Sequence, residues 1–419
     1  MKGVVKVEST VNVIGKVRSF TVLGDPGCDG LGVEIMTTFS KAMNCAEADF
    51  KIILGDLVPF GLEEFYKHIS GIINDISGNP VYSLCGNHDT EYYGQYFGLK
   101  NYLLVNEDML IVVLDNSKRK FDEATLDFCA ASLRDHRRKN ILVLFHIPPP
   151  TQFSSNSMKR EEWDRIRTVM APYREDIRYI LAGHVHSYFE DDVDGFKVVV
   201  SGGGGARLDF FGGLPDKKNS FHHVLQFSFD EQGILKYRFV SLADIPYDRE
   251  SKNEKVRQLL EAAFQYEAAS YTRFQFFAQD AYEKGFSGIE KLFRAFSKSA
   301  YYHAKNYFSV LNKMGSIENN LKDSVRFEKM DLDTLKAAYL PQTLEVHSSL
   351  AYYGFYEAYE AKKKNFDLLP EAIKSYESGE DIKPQDLYVC TSCGNMRSAD
   401  AAPDHCHICG APPDKIIKI

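Results

Sequence analysis

The chain has 419 residues and a formal net charge of −8, which argues against general binding of nucleic acids or other polyanions. Its hydrophobic content of 44% suffices for sizeable cores, and its length predicts roughly two or three domains. The N-terminal segment has no continuous apolar stretch with a small-residue cleavage site, and no window reaches membrane-spanning length. We therefore expect a cytoplasmic protein without membrane contact.

Short apolar runs in the first half of the chain, such as FTVL, FKIIL and ILVLF, predict buried strands. The segments LEEFYKHISGIINDIS, FDEATLDFCAASLRDHRR and KREEWDRIRTVMAPYRE have helical spacing, so the alternation predicts a layered α/β domain. Ligands bind beyond the carboxyl ends of the strands in such sheets, and polar residues that can bind a metal follow five of the runs. These candidate metal ligands are Asp25, Asp56, Asn87, His146, His184 and His186.

The motifs GDPG, GDLVPFG, GNHD, LFHIPP and GHVH occur in an order that resembles the calcineurin-like metallophosphoesterases. This resemblance implies a pair of metals, Mn, Fe or Zn, which carboxylate, amide and imidazole groups suit. In the implied arrangement Asp56 bridges both metals, Asp25 and His186 hold the first metal, and Asn87, His146 and His184 hold the second.

The resemblance also assigns catalytic roles within the GNHD motif. His88 matches the family's catalytic histidine, which protonates the leaving group or binds the phosphate, and Asp89 is expected to orient the His88 ring. The expected reaction is hydrolysis of a small phosphomonoester or phosphodiester by metal-bound hydroxide. A cyclic nucleotide is a further substrate class that the motifs leave open.

The first motif departs from the family pattern. Most members have Asp-x-His there, whereas this chain has Gly27, which cannot bind a metal. Purple acid phosphatases also have Asp-x-Gly but add a tyrosine three residues after the second-motif aspartate, where this chain has Pro59. Water, Cys28 or Asp29 is left to complete the first metal, and Cys28 would favour a softer metal unless it is only a loop or core thiol.

The end of the first domain shows two further patterns. Four consecutive glycines, 202–205, follow a predicted strand and either let the backbone approach the metals or form a permissive turn. The next segment alternates as an antiparallel hairpin that turns at Glu231, Gln232 and Gly233. His222 and His223 begin that hairpin, and we expect them to lie outside the metal pocket.

The composition changes after Asp244. The polar linker PYDRESKN follows, and helical spacing then dominates to about residue 365. The pattern predicts one helix ending at Gly285, a second ending at Gly315, a third beginning near Ile317 and a fourth after Pro341. The domains are therefore expected at residues 1–245, 251–368 and 385–419. Four such helices predict an all-α bundle.

The motifs AFQYEAAS, YYHAKNY and NLKDSVRFEKMD resemble the ferritin-like domain of rubrerythrins. The resemblance implies Glu267, His303 and Glu328 as ligands of a di-iron site. However, Ala300 stands where the bridging glutamate is usual, and Asp331 replaces another glutamate. A di-iron centre is therefore doubtful, and a degenerate bundle for assembly or docking is the alternative.

Two Cys-x-x-Cys pairs near the C-terminus predict a tetrahedral metal site of four thiolates. Their ligands are Cys390, Cys393, Cys406 and Cys409. The motif YVCTSCG…DHCHICGAPPDKI resembles the rubredoxin-like tail of rubrerythrins, which implies one iron for electron transfer and an electron donor as partner. A structural zinc is the alternative, because the four thiolates suit either metal.

These motifs together predict a three-part protein whose first domain is a metal-dependent phosphoesterase. The first alternative is a rubrerythrin-like oxidoreductase that reduces peroxide or oxygen. The second is a hydrolase that senses redox state or iron through its tail. By analogy with ferritin-like proteins, a homodimer is a further expectation.

Overall fold

The computed structural model describes residues 3–89, 91–209, 221–242, 245, 253–311, 313–382, 386–398 and 403–419. They form two compact units, Met1–Lys313 and Met314–Ile419. The division falls inside the segment predicted as one helical domain, 251–368, so its first two helices belong to the first unit. Residues 246–252 of the predicted linker PYDRESKN lie outside the described residues, and the predicted domain limits stay predictions.

Thirteen strands of the first unit form two sheets. They are β1 (Gly3–Val4), β2 (Val11–Val13), β3 (Ser19–Leu23), β4 (Phe50–Ile53), β5 (Pro80–Ser83), β6 (Tyr102–Val105), β7 (Met109–Val113), β8 (Asn140–Leu144), β9 (Ile177–Ala182), β10 (Tyr188–Val193), β11 (Phe196–Ser201), β12 (His223–Phe229) and β13 (Leu235–Ser241). The strand order is β1-β5-β4-β3-β12-β13 in one sheet and β10-β11-β9-β8-β7-β6-β2 in the other.

Parallel pairing aligns the strand ends that carry the candidate ligands. Strands β3, β4 and β5 are parallel neighbours in the first sheet, and β8 and β9 are parallel neighbours in the second. The ligand-bearing strands are therefore divided between two sheets of the predicted layered α/β domain. The predicted hairpin is present as the antiparallel pair β12–β13, with Gly233 at φ 69° in its turn.

Helices cover the outer faces of the two sheets. They are α1 (Val33–Asn44), α2 (Glu63–Ile76), α3 (Tyr93–Tyr96), α4 (Glu123–Asp135) and α5 (Arg160–Met170). Helix α4, for example, begins after Asp122, whose carboxylate accepts a hydrogen bond from Thr125 N at 2.8 Å. The predicted helical segments at α2, α4 and α5 are confirmed.

Side-chain alternation along the strands divides the core into three layers. Phe20 and Val22 of β3 face the space between the sheets, where they pack with residues of the second sheet such as Leu144. Leu23 instead packs with α1 and α2 on the outer face. A third cluster, which includes Trp163, fills the space between the second sheet and α4 and α5. The result is a helix, sheet, sheet, helix stack.

A long helical hairpin completes the first unit. Helices α6 (Glu254–Glu283) and α7 (Ser287–Val310) pack against each other, and Gly285, at φ 78°, forms the turn between them. Small side chains line their contact, including Ala278, Ala281 and Ala300. The first predicted helix end is confirmed, but the second helix ends at Val310 rather than near Gly315.

The described residues of the second unit form four α-helices and a three-stranded sheet. Its elements are α8 (Ile317–Thr334), α9 (Leu340–Glu345), α10 (Ser349–Asn365), α11 (Leu368–Glu377), β14 (Leu387–Cys390), β15 (Met396–Ser398) and β16 (Ile416–Lys418). A π-helical turn, Leu335–Tyr339, joins α8 to α9. The third predicted helix begins at Ile317 as expected. The fourth, which was predicted to follow Pro341, is divided into α9 and α10.

Across the part of the chain that the structure describes, every helix is too short or too polar to cross a lipid bilayer.

Candidate metal centre

The candidate ligands of the first unit converge from both sheets. Asp25 follows β3, Asp56 follows β4 and Asn87 follows β5, while His146 follows β8 and His184 follows β9. Each lies in the short segment after its strand, at the carboxyl end. The structure brings together the residues that the sequence selected, with His186 added from the segment that leads into β10.

Asp56 is common to two groups of possible metal ligands. Its carboxylate lies within 4.8 Å of ligand atoms of His146 and His184 in one group and of Asp25 and His186 in the other. One Asp56 oxygen accepts a hydrogen bond from His88 N at 3.0 Å, and the other lies 3.3 Å from His146 Nε2. Asn87 Oδ1 lies 3.0 Å from the same His146 nitrogen.

Backbone strain is concentrated at this centre. Asp25, Asp56 and His184 have φ values of 56°, 53° and 68°, in the left-handed region that residues with a Cβ seldom adopt. Each such residue costs about 1–3 kcal/mol, and such strain persists where the surrounding structure holds it. Asp25 is held in part by His184 N, which lies 3.0 Å from both carboxylate oxygens.

Two of the histidines have ring orientations fixed by backbone carbonyl groups. His146 Nδ1 donates to Leu54 O at 2.7 Å, and His186 Nδ1 donates to Arg207 O at 2.8 Å. These bonds leave Nε2 of each ring directed toward the carboxylates. This is the usual arrangement of histidine ligands in metal proteins.

Arg119 and Asn156 reach His184 from loops that the sequence reasoning did not select. Arg119 Nη2 lies 3.0 Å from His184 Nε2, and Asn156 Oδ1 lies 2.9 Å from the same nitrogen. Arg119 also donates to Asn156 Oδ1 at 3.0 Å and has φ 60°. The sequence offered one signal, which was the basic run of residues 118–120 in a chain whose net charge is negative.

Asn116 is a further residue that sequence reasoning missed. Its side-chain oxygen accepts from His146 N and Ile147 N, both at 3.0 Å, and its amide donates to Ile147 O at 2.7 Å. Asn116 therefore fixes the backbone that carries His146.

The charges of the centre fit bound cations. Burial raises the pKa of Asp25 to about 6. Burial acts in the same direction on Asp56, but His146 holds the Asp56 pKa below its ordinary value. Burial tends to lower the pKa of His146, yet Asp56 and Asp25 raise it to about 9. Two buried carboxylates thus depend on neighbouring positive charge, and carboxylate, amide and imidazole donors suit Mn, Fe or Zn.

The structure corrects the predicted role of Asp89. One Asp89 oxygen accepts from Leu57 N at 2.9 Å and the other from Gly86 N at 2.9 Å, so this carboxylate fixes two loops. The His88 ring is held instead by Pro59, whose carbonyl oxygen lies 2.6 Å from His88 Nδ1. His88 Nε2 is 4.0 Å from Asp56 and so faces the centre.

The glycine run after β11 lies against the centre. A Cβ added to Gly202 would lie 2.8 Å from Asp25 Oδ2 and 2.3 Å from Val185 O. Only glycine allows the backbone to pass this close to the carboxylate, which supports the first of the two predicted roles of the run. His223 is buried beside it but bonds to Ser201 Oγ at 2.9 Å, so it lies outside the ligand groups, as expected.

The four C-terminal cysteines form a second centre within the second unit. Cys390 Sγ lies 3.7 Å from Cys409 Sγ, and Cys393 Sγ lies 3.5 Å from Cys406 Sγ. Four thiolates placed tetrahedrally about 2.3 Å from one ion stand about 3.8 Å apart. The spacing fits a single iron or zinc ion.

The helical residues that the sequence selected as di-iron ligands have other surroundings. In the first unit His303 Nδ1 lies 3.4 Å from Glu267 Oε1, and Ala300 is buried in the contact between α6 and α7. In the second unit Glu328 pairs with Lys362 Nζ at 2.9 Å. Over the described residues, one group of potential ligands is formed by the four C-terminal cysteines, and three lie at the first centre: Asp56 with His146 and His184, Asp25 with Asp56 and His186, and Cys28 with Asp29 and His186.

Two protein families match separate parts of the chain. The calcineurin-like phosphoesterase family matches residues 18–188, and the rubrerythrin family matches residues 258–374. Rubrerythrin-2 of Clostridium acetobutylicum is 27% identical over 178 residues, which are 39% of this chain and 96% of that protein.

Two of the solved structures to which the chain is similar are a phosphatase and a nigerythrin. The purple acid phosphatase of yellow lupin (Lupinus luteus) seeds is 14% identical with a TM-score of 0.45, and the match covers 55% of this chain. It spans 52% of the lupin chain, about half of its length. Nigerythrin in a mixed-valence state is 20% identical with a TM-score of 0.24, over 38% of this chain and 84% of that chain.

Proposed function

We propose that this chain, which has a calcineurin-like phosphoesterase domain at residues 18–188 and a rubrerythrin-like segment at 258–374, hydrolyses phosphoester bonds at a two-metal centre. The observation that carries the proposal is the position of Asp56. Its carboxylate belongs to one ligand group with His146 and His184 and to another with Asp25 and His186. A shared carboxylate is the feature expected where two metals lie about 3.5–4 Å apart.

The ligand residues have fixed orientations, which supports a preorganised centre. When bound, the two metals would neutralise charge on the phosphoryl oxygens and activate water. The carbonyl groups of Leu54 and Arg207 hold the His146 and His186 rings, so their Nε2 atoms stay directed at the centre. Asn116 accepts from His146 N at 3.0 Å and fixes the backbone that carries that ring.

His88 is the proposed proton donor to the leaving group. Pro59 O holds its Nδ1 at 2.6 Å, which directs Nε2 toward the Asp56 side of the centre. The side chain is 40% exposed, so the leaving group of a substrate that enters the centre from solvent can reach it. Protonation of that oxygen removes the cost of expelling an alkoxide.

Arg119 is the proposed binding group for the phosphoryl oxygens. If a metal occupies His184 Nδ1, then Nε2 carries the ring proton and donates to Asn156 Oδ1, which lies 2.9 Å away. The Arg119 guanidinium, now 3.0 Å from that nitrogen, then loses its acceptor there and can turn to the substrate. Guanidinium groups bind phosphate through paired hydrogen bonds.

The substrate we propose is a small phosphomonoester or phosphodiester. The net charge of −8 opposes long polyanions, whereas a single phosphoryl group needs only the metals and Arg119. Cyclic nucleotides belong to the same proposed class.

The C-terminal thiolates are proposed to hold one iron, with zinc as the alternative, and an external electron donor would act there. Peroxide reduction by the helical segment has less support. Lys362 already pairs with Glu328 and Asp331, at 2.9 and 3.1 Å, and Ala300 supplies no carboxylate. Redox control of hydrolysis through the thiolate centre would appear as different rates for oxidised and reduced protein.

The test of the proposal is hydrolysis of nitrophenyl phosphate and bis(nitrophenyl) phosphate by the full chain. We expect His184→Ala and Asn87→Ala to lose activity on both esters by at least about 100-fold, because each removes a ligand of the proposed second metal. Fluorescence of the only tryptophan, the buried Trp163, reports whether the domain remains folded. Undiminished hydrolysis by both folded variants would contradict the proposed site.

A further inference from the structure

We propose that Cys28 is a ligand of the first metal and takes the place of the histidine that Gly27 lacks. This inference rests on the proposed function, because it completes the same centre. Cys28 Sγ lies 3.1 Å from His186 Nε2, and the side chain is only 8% exposed. His186 Nε2 in turn lies 3.8 Å from Asp25 Oδ1, so the thiol borders the group formed by Asp25, Asp56 and His186.

The backbone explains why residue 27 itself cannot provide a ligand. A Cβ at Gly27 would lie 1.9 Å from Leu57 O, far inside any tolerated contact. Gly27 N also donates to Asp56 O at 3.0 Å, which presses this loop against the loop that carries the shared carboxylate. The ligand position therefore has to be filled by a side chain elsewhere in the loop.

The distance between Cys28 and His186 suits two ligands of one ion. A sulfur about 2.3 Å and a nitrogen about 2.1 Å from a common metal stand about 3.1 Å apart at a right angle and about 3.6 Å apart in a tetrahedron. The observed 3.1 Å lies at the short end of this range. Because His186 Nδ1 donates to Arg207 O, Nε2 presents a lone pair, and a cation can replace the thiol proton beside it.

Asp29 has a different task in the same loop. Its Oδ2 accepts from Arg207 N at 2.7 Å, and Arg207 O accepts from His186 Nδ1 at 2.8 Å. Asp29 is also exposed, whereas Cys28 is buried. Asp29 also lies within 4.8 Å of the ligand atoms of Cys28 and His186. Because its Oδ2 already accepts from Arg207 N, we assign Asp29 to positioning the residue that orients His186 and Cys28 to metal contact.

The other cysteines of the first unit have ordinary structural surroundings. Cys45 Sγ lies 3.4 Å from Ala42 O within its own helical turn, and Cys85 Sγ lies 2.9 Å from Asp89 O. Cys129 is buried in the apolar cluster around Trp163. Cys28 differs from all three because its partner is an imidazole of the metal centre, and Cys45 provides a matched control.

A thiolate at this position would change which metal the centre selects. Soft sulfur ligands favour zinc, ferrous iron and cobalt over manganese and magnesium. We therefore expect the first metal position to prefer zinc or iron. Cys28→Asp, which replaces sulfur with oxygen, should shift the preference toward manganese.

The experiment uses the full chain, stripped by a chelator and titrated with cobalt(II). The wild type should develop a thiolate-to-cobalt absorption that Cys28→Ser lacks in a difference spectrum, because the four C-terminal thiolates contribute equally to both. Cys28→Ser should bind one cobalt more weakly by about 10- to 100-fold, the range measured when support of a metal ligand is lost. Cys45→Ser should match the wild type.

Equal cobalt spectra and affinities for wild type and Cys28→Ser would overturn the inference. Should the serine variant fail to fold, alkylation of the wild type decides the question: metal should slow labelling of Cys28, and an unchanged labelling rate would refute ligation. The outcome for phosphoester hydrolysis is separate. A Cys28-dependent cobalt band without hydrolysis would contradict only the proposed function, and hydrolysis without that band would contradict only the ligand.

Discussion

Arg119 illustrates a contribution made by a single residue from outside the recognisable motifs. It lies on an exposed loop before α4, yet its guanidinium contacts Asn156 and His184. We predict that Arg119→Ala lowers kcat/KM for a phosphoester by about 10- to 1,000-fold, because a charge-assisted hydrogen bond to phosphate contributes about 1.5–3 kcal/mol and two can form. Steady-state kinetics measures this effect.

The neighbouring Lys118 provides the control for that prediction. Lys118→Ala removes one positive charge from the same loop, and we expect a change of less than about threefold, because an exposed charge is screened by solvent. Arg119→Lys should recover only part of the lost activity, since lysine cannot form the paired contact. Equal losses for Lys118→Ala and Arg119→Ala would mean that only the loop charge matters.

His223 should make the stability of the first unit depend on pH. Burial lowers its pKa to about 4, and the neutral ring accepts from Ser201 Oγ while Nδ1 donates to Phe221 O. The unfolded chain binds a proton below about pH 6.5, but the folded chain does not until about pH 4. The contribution of His223 to the free energy of unfolding is therefore fully present above pH 6.5. It falls by up to about 3 kcal/mol as the pH drops toward 4.

Urea unfolding followed by Trp163 fluorescence measures that pH dependence. We expect His223→Gln to be less stable than the wild type at pH 7 but to lose less stability between pH 6.5 and 4.5. The sign follows from linkage, because stability rises with pH wherever the unfolded state binds more protons. Parallel pH profiles for the two proteins would show that His223 does not titrate as its surroundings imply.

Some residues of the metal centre could be predicted from the sequence and others could not. The proposed ligands follow apolar runs in recognisable motifs, so their convergence could be predicted from strand ends. Arg119 and Asn156 could not, because their approach to His184 depends on loops separated along the chain. The partner of His88 was also missed, since a backbone carbonyl such as Pro59 O leaves no mark in the sequence.

At the scale of elements, the glycine run after β11 leaves no space for a side chain at Gly202. We predict that Gly202→Ala destabilises the first unit by about 1–3 kcal/mol, the usual cost of overpacking, because its Cβ would overlap Val185 O. The same methyl group would press on Asp25, so metal binding should weaken as well. Urea unfolding and metal titration measure the two effects.

Gly71 in α2 provides the opposite expectation. A Cβ there meets nothing within 4 Å, and the residue is exposed within the helix. Gly71→Ala should therefore stabilise the domain by about 0.5–1 kcal/mol. If both substitutions changed stability by similar amounts in the same direction, close approach at Gly202 would not be the cause.

Element type was easier to predict from sequence than element partnership. Helical spacing located the start of α8, and helical spacing with the terminal Gly285 located the end of α6. The division of the strands between two sheets could not be seen, because a buried strand has the same apolar pattern in either sheet. Helix α7 ends at Val310, before the glycine that predicted its end.

At the scale of the whole molecule, the two centres should respond separately to metal removal. The three short strands β14–β16 surround the four cysteines and bury little apolar surface, so we expect metal to stabilise them as it does other small thiolate modules. A strong chelator should abolish amide protection from hydrogen exchange in residues 386–419. Protection around Trp163 should persist, because a large apolar cluster holds it.

Metal analysis of the same samples completes that experiment. The purified protein should contain about two metals for the first centre and one for the thiolates, and His184→Ala should lose metal only from the first. Loss of protection around Trp163 together with the C-terminal strands would contradict the expected independence. A metal content of four or more would favour a di-iron site in the helices.

The contact of Lys362 with Glu328 and Asp331 determines how the helical segment is expected to respond to the supply of iron. A bound metal ion can exchange with solvent, whereas the ammonium group of Lys362 is covalently attached to α10. The cohesion of α8 and α10 should therefore be indifferent to iron starvation or iron excess. We therefore expect α8 and α10 to keep their packing when iron is scarce, because Lys362 is covalently attached to the chain and cannot be removed by a chelator.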